Sequence, residues 1–245
     1  MKKIIFGVVL IGLLLFAKEA NIAAAANLQY VLEEISKEFL LTHKQDKLNI
    51  SYSSSGKAYA QISQSAPIDL FISADEEFPQ KLYMEKKTPQ KPQVYARGVL
   101  VLWSHNPKIK INSLENLTQK DIIHIAIPNP TLAPYGRAAK EALHKSKLYD
   151  FIKSKLINAS SISQAHQFVS SGNAEAGFGA LSLIDKKDKD VSYVVIDKTL
   201  YNPINQALVL TNYGKNNQLA KDFKDFLLSS KAKKIFQKYG YIINE

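Results

Sequence analysis

Short turns of small residues that lead into helices are the feature that most constrains this chain. Residues 23–28 read Ala-Ala-Ala-Ala-Asn-Leu and precede a stretch whose apolar residues are spaced for one face of a helix. Residues 53–56 read Ser-Ser-Ser-Gly and open a second, shorter candidate helix. The first turn of a helix has unbonded N–H groups and the positive end of the helix dipole, so it attracts anions. One such turn is more often an ordinary helix cap, but two in one chain favour an oxyanion pocket.

Two more turns of the same kind lie in the middle of the chain. Residues 129–136 read Asn-Pro-Thr-Leu-Ala-Pro-Tyr-Gly and separate a predicted strand from a helical pattern. Residues 158–161 read Asn-Ala-Ser-Ser and lead into another helical pattern. Ligands of open α/β sheets bind at such turns, beyond the carboxyl ends of the strands. Four turns from two facing lobes would enclose a small anion.

Short strands alternate with helices along almost the whole chain, and this predicts an α/β fold. Polar, proline-containing breaks at residues 85–92 and 202–203 flank a central block, so we expect the chain to enter a second lobe and return. The predicted division is lobe I at 18–94 plus 209–245, and lobe II at 95–208. The strands are predicted at residues 68–72, 98–103, 122–127, 174–178, 193–196 and 207–210, with terminal helices near 218–228 and 231–239.

The start of the chain is typical of a signal peptide over residues 1–17. Lys2 and Lys3 precede an apolar run from Ile4 to Phe16, which is too short for the roughly 30 Å hydrocarbon core of a bilayer. Ala17 is the expected cleavage point, and an uncleaved anchor is the alternative. The chain has no cysteine, which excludes disulfides, thiolate metal sites and a lipid-anchoring cysteine. We therefore expect an exported protein that is free in a bacterial periplasm.

The charge pattern and the scattered histidines argue against several function classes. The formal net charge is +10, but no arginine-rich stripe with interleaved aromatics occurs, so no nucleic-acid partner is expected. The five histidines have no metal-ligand spacing, and no nucleophile elbow is present. We predict neither an enzyme nor a resident cofactor, and we read the lysines as solvation with a modest long-range attraction for anions.

Several short motifs follow one another in a fixed order from Ile22 to Tyr241. They are Asn27-Leu28 after its alanines, Ser54-Ser55-Gly56, Asp69-Leu70-Phe71-Ile72-Ser73-Ala74-Asp75, Asn129-Pro130 with Pro134-Tyr135-Gly136-Arg137-Ala138-Ala139, Gly177-Phe178-Gly179-Ala180-Leu181-Ser182, and Ile235-Phe236 with Tyr239-Gly240-Tyr241. This ordered set resembles the molybdate-binding proteins of ABC-type importers. The resemblance implies two α/β lobes of the type II periplasmic binding fold, each a mixed sheet flanked by helices, with a hinge and a central anion cleft.

The resemblance also implies four ligand positions. Asn27 falls where the family places a side-chain and backbone donor, and Ser55 falls on a hydroxyl donor. Tyr135 and Ile162 fall on positions that donate through the backbone N–H. Some members carry a tyrosine ligand where this chain has Ala180, so we expect the Tyr135 hydroxyl to replace that donor. The alternatives are that Asn27 and Ser55 only cap helices and that Tyr135 and Ile162 only pack in the core.

The function implied is capture of molybdate, and also tungstate, between two lobes for delivery to an inner-membrane ABC permease. Molybdenum would be bound only as the oxyanion, through the same residues, by a monomer with no cofactor. The alternatives are a binder specific for tungstate or a sulfate-like oxyanion, or an anion-sensing domain. We also expect rejection of phosphate, because it keeps a proton at neutral pH and none of the four turns holds a carboxylate to accept it.

Overall fold

The computed structural model describes residues 17–243. The predicted signal peptide lies outside them, except for Ala17. Two five-stranded sheets and their flanking helices make up this range. The strands are β1 Glu19–Ala25, β2 Lys47–Ser53, β3 Leu70–Ile72, β4 Gln93–Gly98, β5 Leu100–Ser104, β6 Ile125–Pro128, β7 Leu156–Ala159, β8 Ala176–Ala180, β9 Ser192–Val195 and β10 Ile204–Leu210. The helices are α1 Gln29–Leu40, α2 Ser55–Ser63, α3 Glu77–Met84, α4 Pro134–Lys145, α5 Tyr149–Ile152, α6 Ile162–Ser170, α7 Gln218–Leu227 and α8 Ser230–Lys238.

Each lobe is built on a mixed sheet, which confirms the predicted fold class. The sheet of lobe I has the order β2-β1-β3-β10-β4, in which β1 runs parallel to β2 and β3 while β10 is antiparallel to its neighbours. The sheet of lobe II has the order β7-β6-β8-β5-β9, in which β6 runs parallel to β7 and β8 while β5 is antiparallel. The parallel strands bring their carboxyl ends to one edge of each sheet.

The chain crosses between the two lobes at positions that differ from the polar breaks in the sequence. Only Val99 separates β4 of the first sheet from β5 of the second, and the chain returns between β9 and β10. The predicted boundaries after residues 94 and 208 therefore fall inside β4 and β10. The polar breaks lead into these strands and do not mark the crossings, and the apolar run predicted as one strand at 98–103 spans the junction itself.

Two of the predicted turns also begin later than expected. Residues 23–25 belong to β1, where they pair with β2 and β3, and only Ala26–Leu28 form a 3₁₀ turn. Asn158 and Ala159 likewise belong to β7, paired with β6. Alanines can continue a strand when helices cover both of its faces, because their small side chains let the layers approach closely.

The core consists of apolar layers between each sheet and its helices. In lobe I, α2 and α3 cover one face, where Ile62 and Phe78 of these helices cluster with Phe71 of β3. On the other face, α1, α7 and α8 pack in a cluster that continues into lobe II. In lobe II, α6 covers Trp103 and Val101. No helix within residues 17–243 is long and apolar enough to cross a membrane.

Candidate functional site

Four helices of the two lobes begin directly after parallel strands. We call these junctions turn 1 (residues 26–28, between β1 and α1), turn 2 (53–56, between β2 and α2), turn 3 (129–136, between β6 and α4) and turn 4 (160–163, between β7 and α6). Because β1 pairs in parallel with β2, and β6 with β7, turns 1 and 2 share one sheet edge and turns 3 and 4 share the other. Each edge carries two helix starts.

The two edges meet across the cleft in two direct contacts. The backbone N–H of Gly56 in turn 2 donates to the carbonyl of Leu132 in turn 3, at 2.9 Å. The hydroxyl of Ser163 in turn 4 donates to the carbonyl of Ala26 in turn 1, at 3.1 Å. Glycine at position 56 lets the two turns approach closely, because a Cβ there would lie 3.0 Å from the Leu132 Cα and would press on that backbone. The structure thus brings all four predicted turns together, in lobes that are in contact.

A charged contact joins the lobes beside these turns. Arg137 on α4 pairs with Asp75 and, at 3.4 Å, with Glu77, and its guanidinium lies 5.4 Å from the centre of the Phe78 ring. Desolvation by burial raises the pKa of Asp75, although the charge of Arg137 and hydrogen bonds from Ser73 and Phe78 oppose the shift. This pair links lobe II to the loop after β3 of lobe I.

Asn27 lies buried in turn 1, with a side chain already bound within the protein. Its Nδ2 donates to Oε1 of Gln206 at 3.1 Å and to the hydroxyl of Tyr241 at 2.9 Å. Its Oδ1 is buried and has no hydrogen-bond partner. In this orientation both amide hydrogens are engaged, so the side chain can donate to an anion only after the amide turns over.

Ser55 is the first residue of α2, and its side chain can still donate. Its hydroxyl oxygen accepts from the backbone N–H of Ala74 at 3.0 Å, which leaves the hydroxyl hydrogen for another acceptor. The neighbouring Ser54 hydroxyl is buried without a partner. Ser54, the residue that precedes the first turn of α2, is therefore a further candidate donor beside the predicted Ser55.

The two predicted residues of lobe II also lie at helix starts. Tyr135 follows Pro134, which has no N–H, so its own N–H is the first that α4 offers. Its hydroxyl accepts from Nε2 of Gln206 at 3.1 Å, and burial raises its pKa well above the usual value, which keeps the hydroxyl protonated. Ile162 begins α6 with its side chain buried in the core. It can therefore contribute only its backbone N–H.

A buried polar network behind these turns has no counterpart in the sequence interpretation. Tyr95 donates its hydroxyl to Oε1 of Gln206 at 2.8 Å and lies 3.0 Å from the carbonyl of Ser73. Tyr241 lies within hydrogen-bond distance of the Asn27 carbonyl and of Ser182, at 3.0 and 3.1 Å. Burial raises the pKa of both tyrosines, so the network is uncharged at neutral pH. Its members are far apart in sequence, and a glutamine inside the apolar run of β10 was the one available signal.

The surroundings of the turns supply donors and no free carboxylate. Asp69, the residue before β3, accepts from the backbone N–H of Asn21 in β1 at 2.7 Å and so connects two strands of lobe I. Asp75 is engaged by Arg137 and Ser73. Within residues 17–243, no group of three or more histidine and acidic side chains could hold a metal ion.

Two open clefts occur elsewhere on the described surface. One, of about 800 Å³, lies between α1 and α8 of lobe I and the Trp103–His166 region of lobe II. The other, of about 340 Å³, lies beside Arg137 and Glu141. None of the four predicted ligand residues lines either cleft, although Pro134 of turn 3 lines the smaller one.

Comparison with known proteins identifies the family. Residues 20–242 match the family described as bacterial extracellular solute-binding protein. The chain is 38% identical over 231 residues to the molybdate-binding protein ModA of Azotobacter vinelandii, which covers 92% of this chain and 90% of that protein. It is also 38% identical over 228 residues to ModA of Rhodobacter capsulatus, with 92% and 89% covered.

The solved structure of the Azotobacter vinelandii periplasmic molybdate-binding protein has the same fold. It superposes with a TM-score of 0.86 at 33% identity and covers 92% of this chain and 100% of that chain. The family that the sequence motifs predicted is thereby confirmed. This chain belongs to the bacterial extracellular solute-binding proteins, in the group that includes the molybdate-binding protein ModA.

Proposed function

We propose that this protein captures molybdate in the cleft between its lobes and delivers it to an ABC importer. The observation that carries the proposal is the meeting of four helix starts, two from each lobe, with hydroxyl and backbone donors and no free carboxylate. The relatives named as molybdate-binding proteins supply the identity of the anion. Because these relatives are binding proteins, we infer a carrier that performs no catalysis.

Neutral donors suit this ligand for a physical reason. A dianion in a closed cleft loses its hydration, and hydrogen bonds to a charged group, worth about 1.5–3 kcal/mol each, replace it. Helix starts add favourable dipoles without adding a counter-charge that would itself need solvation. Donors from both lobes can reach one anion only when the lobes are closed, so the anion should shift the population towards the closed form.

Ser55, Asn27, Tyr135 and Ile162 are the proposed ligand residues. The Tyr135 hydroxyl accepts from Gln206 and therefore keeps its own hydrogen free, which supports its proposed role as the replacement for a donor at Ala180. Tyr135→Phe should weaken molybdate binding about tenfold if the hydroxyl reaches the anion. An unchanged affinity would leave the backbone N–H as the contribution of this residue.

Selectivity follows from the same donors. Molybdate, tungstate and sulfate are unprotonated dianions at neutral pH, whereas phosphate carries a proton that needs an acceptor. A buried phosphate O–H without one would cost about 1–3 kcal/mol. Sulfate is smaller, so donors fixed for molybdate would lie out of its reach. We propose tungstate as a second tight ligand, and a binder specific for tungstate or for a sulfate-like anion as the alternative.

The proposal also includes export by the signal peptide and residence in the periplasm as a monomer. The loaded protein would then dock to an inner-membrane permease. Calorimetric titration of the exported chain with molybdate, tungstate, sulfate and phosphate at neutral pH tests the ligand. Tight binding of the first two, weak binding of sulfate and no binding of phosphate are expected. Phosphate binding as tight as molybdate would contradict a site of donors alone, and mass spectrometry of the mature N-terminus tests the export step.

A further inference from the structure

Gln206 is a buried polar side chain that links the candidate site residues of the two lobes. It lies on β10 with 0% of its surface exposed, in a strand that is otherwise mostly apolar. A carboxamide removed from water is costly unless its hydrogen bonds are replaced, and a residue such as leucine or methionine would fill the same space without that cost. The partners of Gln206 therefore indicate why a glutamine stands here.

Those partners include one predicted ligand residue from each lobe. Oε1 of Gln206 accepts from Nδ2 of Asn27 in turn 1, at 3.1 Å, and from the hydroxyl of Tyr95, at 2.8 Å. Nε2 of Gln206 donates to the hydroxyl of Tyr135 in turn 3, at 3.1 Å. A single amide thus connects the side chains of Asn27 in lobe I and Tyr135 in lobe II.

The backbone around Gln206 is shaped for this contact. The pairing of β10 with β4 shifts register between Gln206 and Ala207, and such irregularities re-aim side chains. On the partner strand, Gly98 leaves the necessary space. A Cβ at Gly98 would lie 2.2 Å from the Tyr135 hydroxyl oxygen and 2.6 Å from Nε2 of Gln206.

The amide of Gln206 also controls which end of the Asn27 amide is free. With Nδ2 bound to Gln206 and Tyr241, Asn27 leaves its buried Oδ1 unpaired, and an oxygen repels an anion. If the Asn27 amide turns over to donate to an anion, its Oδ1 faces Gln206. Gln206 can turn with it, because a carboxamide carries both a donor and an acceptor. Its Oε1 would then accept from the Tyr135 hydroxyl, so in this state Tyr135 offers the anion its backbone N–H alone. The Tyr135→Phe titration separates this state from one in which the hydroxyl itself reaches the anion.

We infer that Gln206 is a positioning residue for oxyanion binding, which sets the orientation of the Asn27 amide and couples it to Tyr135 across the lobes. Gln206 acts through these two side chains and not by touching the anion. This inference rests on the proposed function.

The test is a double-mutant cycle measured by calorimetric titration with molybdate. Gln206→Met keeps the volume and removes both hydrogen-bonding ends, and it should weaken binding about tenfold or more. Because Gln206 acts partly through Asn27, the double variant N27A/Q206M should bind more tightly than the product of the two single effects predicts. Thr211→Val is the matched control. It removes a buried hydroxyl that donates to the Ile68 carbonyl, just after the carboxyl end of β10 and away from Gln206. This variant should have a lower melting temperature and an unchanged affinity for molybdate.

A second readout follows the amides directly. In ¹⁵N-labelled protein, the side-chain NH₂ signals of Asn27 and Gln206 should both shift on adding molybdate, and Q206M should displace the Asn27 signal in the free protein. If Q206M folds poorly, the isosteric Q206E, which has no hydrogen to donate when ionised, should weaken binding in the same way. Binding by the Gln206 variants within threefold of the parent, or effects of N27A and Q206M that multiply, would overturn the inference alone. A parent protein that binds no molybdate would instead overturn the proposed function.

Discussion

The two lobes present the same kind of turn with different chemistry. Turns 1 and 2 of lobe I place polar side chains at the helix starts, namely Asn27, Ser54 and Ser55. Turn 4 of lobe II places Ile162 at the start of α6, with an apolar side chain in the core. Its two flanking serines are engaged within the protein, because Ser161 caps α6 and Ser163 donates to the Ala26 carbonyl. Tyr135 in turn 3 is intermediate, because it has a backbone N–H at the helix start and a hydroxyl in the buried network.

This difference shows which part of an anion site depends on residue identity. A backbone N–H survives any substitution that keeps the helix start, whereas a hydroxyl or amide donor is lost with its side chain. Lobe I should therefore carry most of the measurable side-chain contribution to affinity. Lobe II should act through its fold and through the contacts that let it close on lobe I.

The largest effect is expected at the charged contact between the lobes. Arg137→Ala leaves the buried Asp75 without its cationic partner whenever the lobes are closed. Removing one partner of a buried pair costs about 3 kcal/mol, so molybdate should bind about a hundredfold more weakly while the open form is unaffected. Calorimetric titration gives the affinity, and small-angle scattering with and without molybdate follows closure.

Arg137→Lys is the matched control, since it keeps the charge and should recover part of the affinity. Unchanged binding in Arg137→Ala would mean that the contact contributes nothing to the closed state. The backbone hydrogen bond between Gly56 and Leu132 would then contribute more to the closed state than the charged contact does.

Acid should destabilise lobe II through His166. This side chain stacks on Trp103 with ring centres 4.4 Å apart, and burial, together with the neighbouring His105, lowers its pKa to about 4. The unfolded chain takes up this proton near pH 6.5 and the folded chain only near pH 4, so stability falls as the pH drops through that window. The loss is at most about 3 kcal/mol.

His166→Phe keeps an aromatic ring stacked on Trp103 and removes the titrating group. The free energy of unfolding of this variant, relative to that of the parent, should therefore increase as the pH is lowered from 7 to 4. Denaturant unfolding followed by the fluorescence of Trp103, the one tryptophan of the chain, measures the difference. His144→Phe is the control, at an exposed histidine that also stacks on an aromatic ring. A parallel pH response of the parent and His166→Phe would show that His166 is not responsible.

Ser55→Ala should weaken molybdate binding about ten- to a hundredfold, because a hydroxyl donor to a charged oxygen is lost. Ser54→Ala is the informative companion, since the Ser54 hydroxyl is buried beside it without a partner. If Ser54→Ala has the larger effect, the principal hydroxyl donor of turn 2 is Ser54. Equal affinity in both variants and the parent would contradict the view that lobe I binds through side chains.

The turns themselves could be predicted from the sequence because each is a local pattern. A strand, a few small residues and a helix start lie within about ten residues, and strand order then brings the turns together. The lobe boundaries were placed wrongly because no composition change marks the crossing at Val99, where one apolar run ends β4 and begins β5. A crossing inside a continuous apolar run is visible only in the pairing of the strands.

The network of Gln206, Tyr95 and Tyr241 could not be predicted, because its bonds join residues up to 214 positions apart. The same holds for the orientation of the Asn27 amide, which these partners determine. Local pattern located the donor residues, and tertiary contacts decide which of their atoms are free.

The smallest effect is expected at Ile162, and it tests the comparison from the lobe II side. Ile162→Val removes one methylene from a buried side chain and keeps the backbone N–H at the start of α6. The fold should lose about 0.5–1.5 kcal/mol of stability, while the affinity for molybdate should change by less than about twofold. Ser161→Ala removes the side chain that caps α6 by accepting from Gln164 N–H at 3.2 Å, and so reports on the helix start itself. If Ile162→Val weakened binding as much as Ser55→Ala does, the side chain of Ile162 would have to shape the anion cleft, and the division between side-chain donors in lobe I and backbone donors in lobe II would fail.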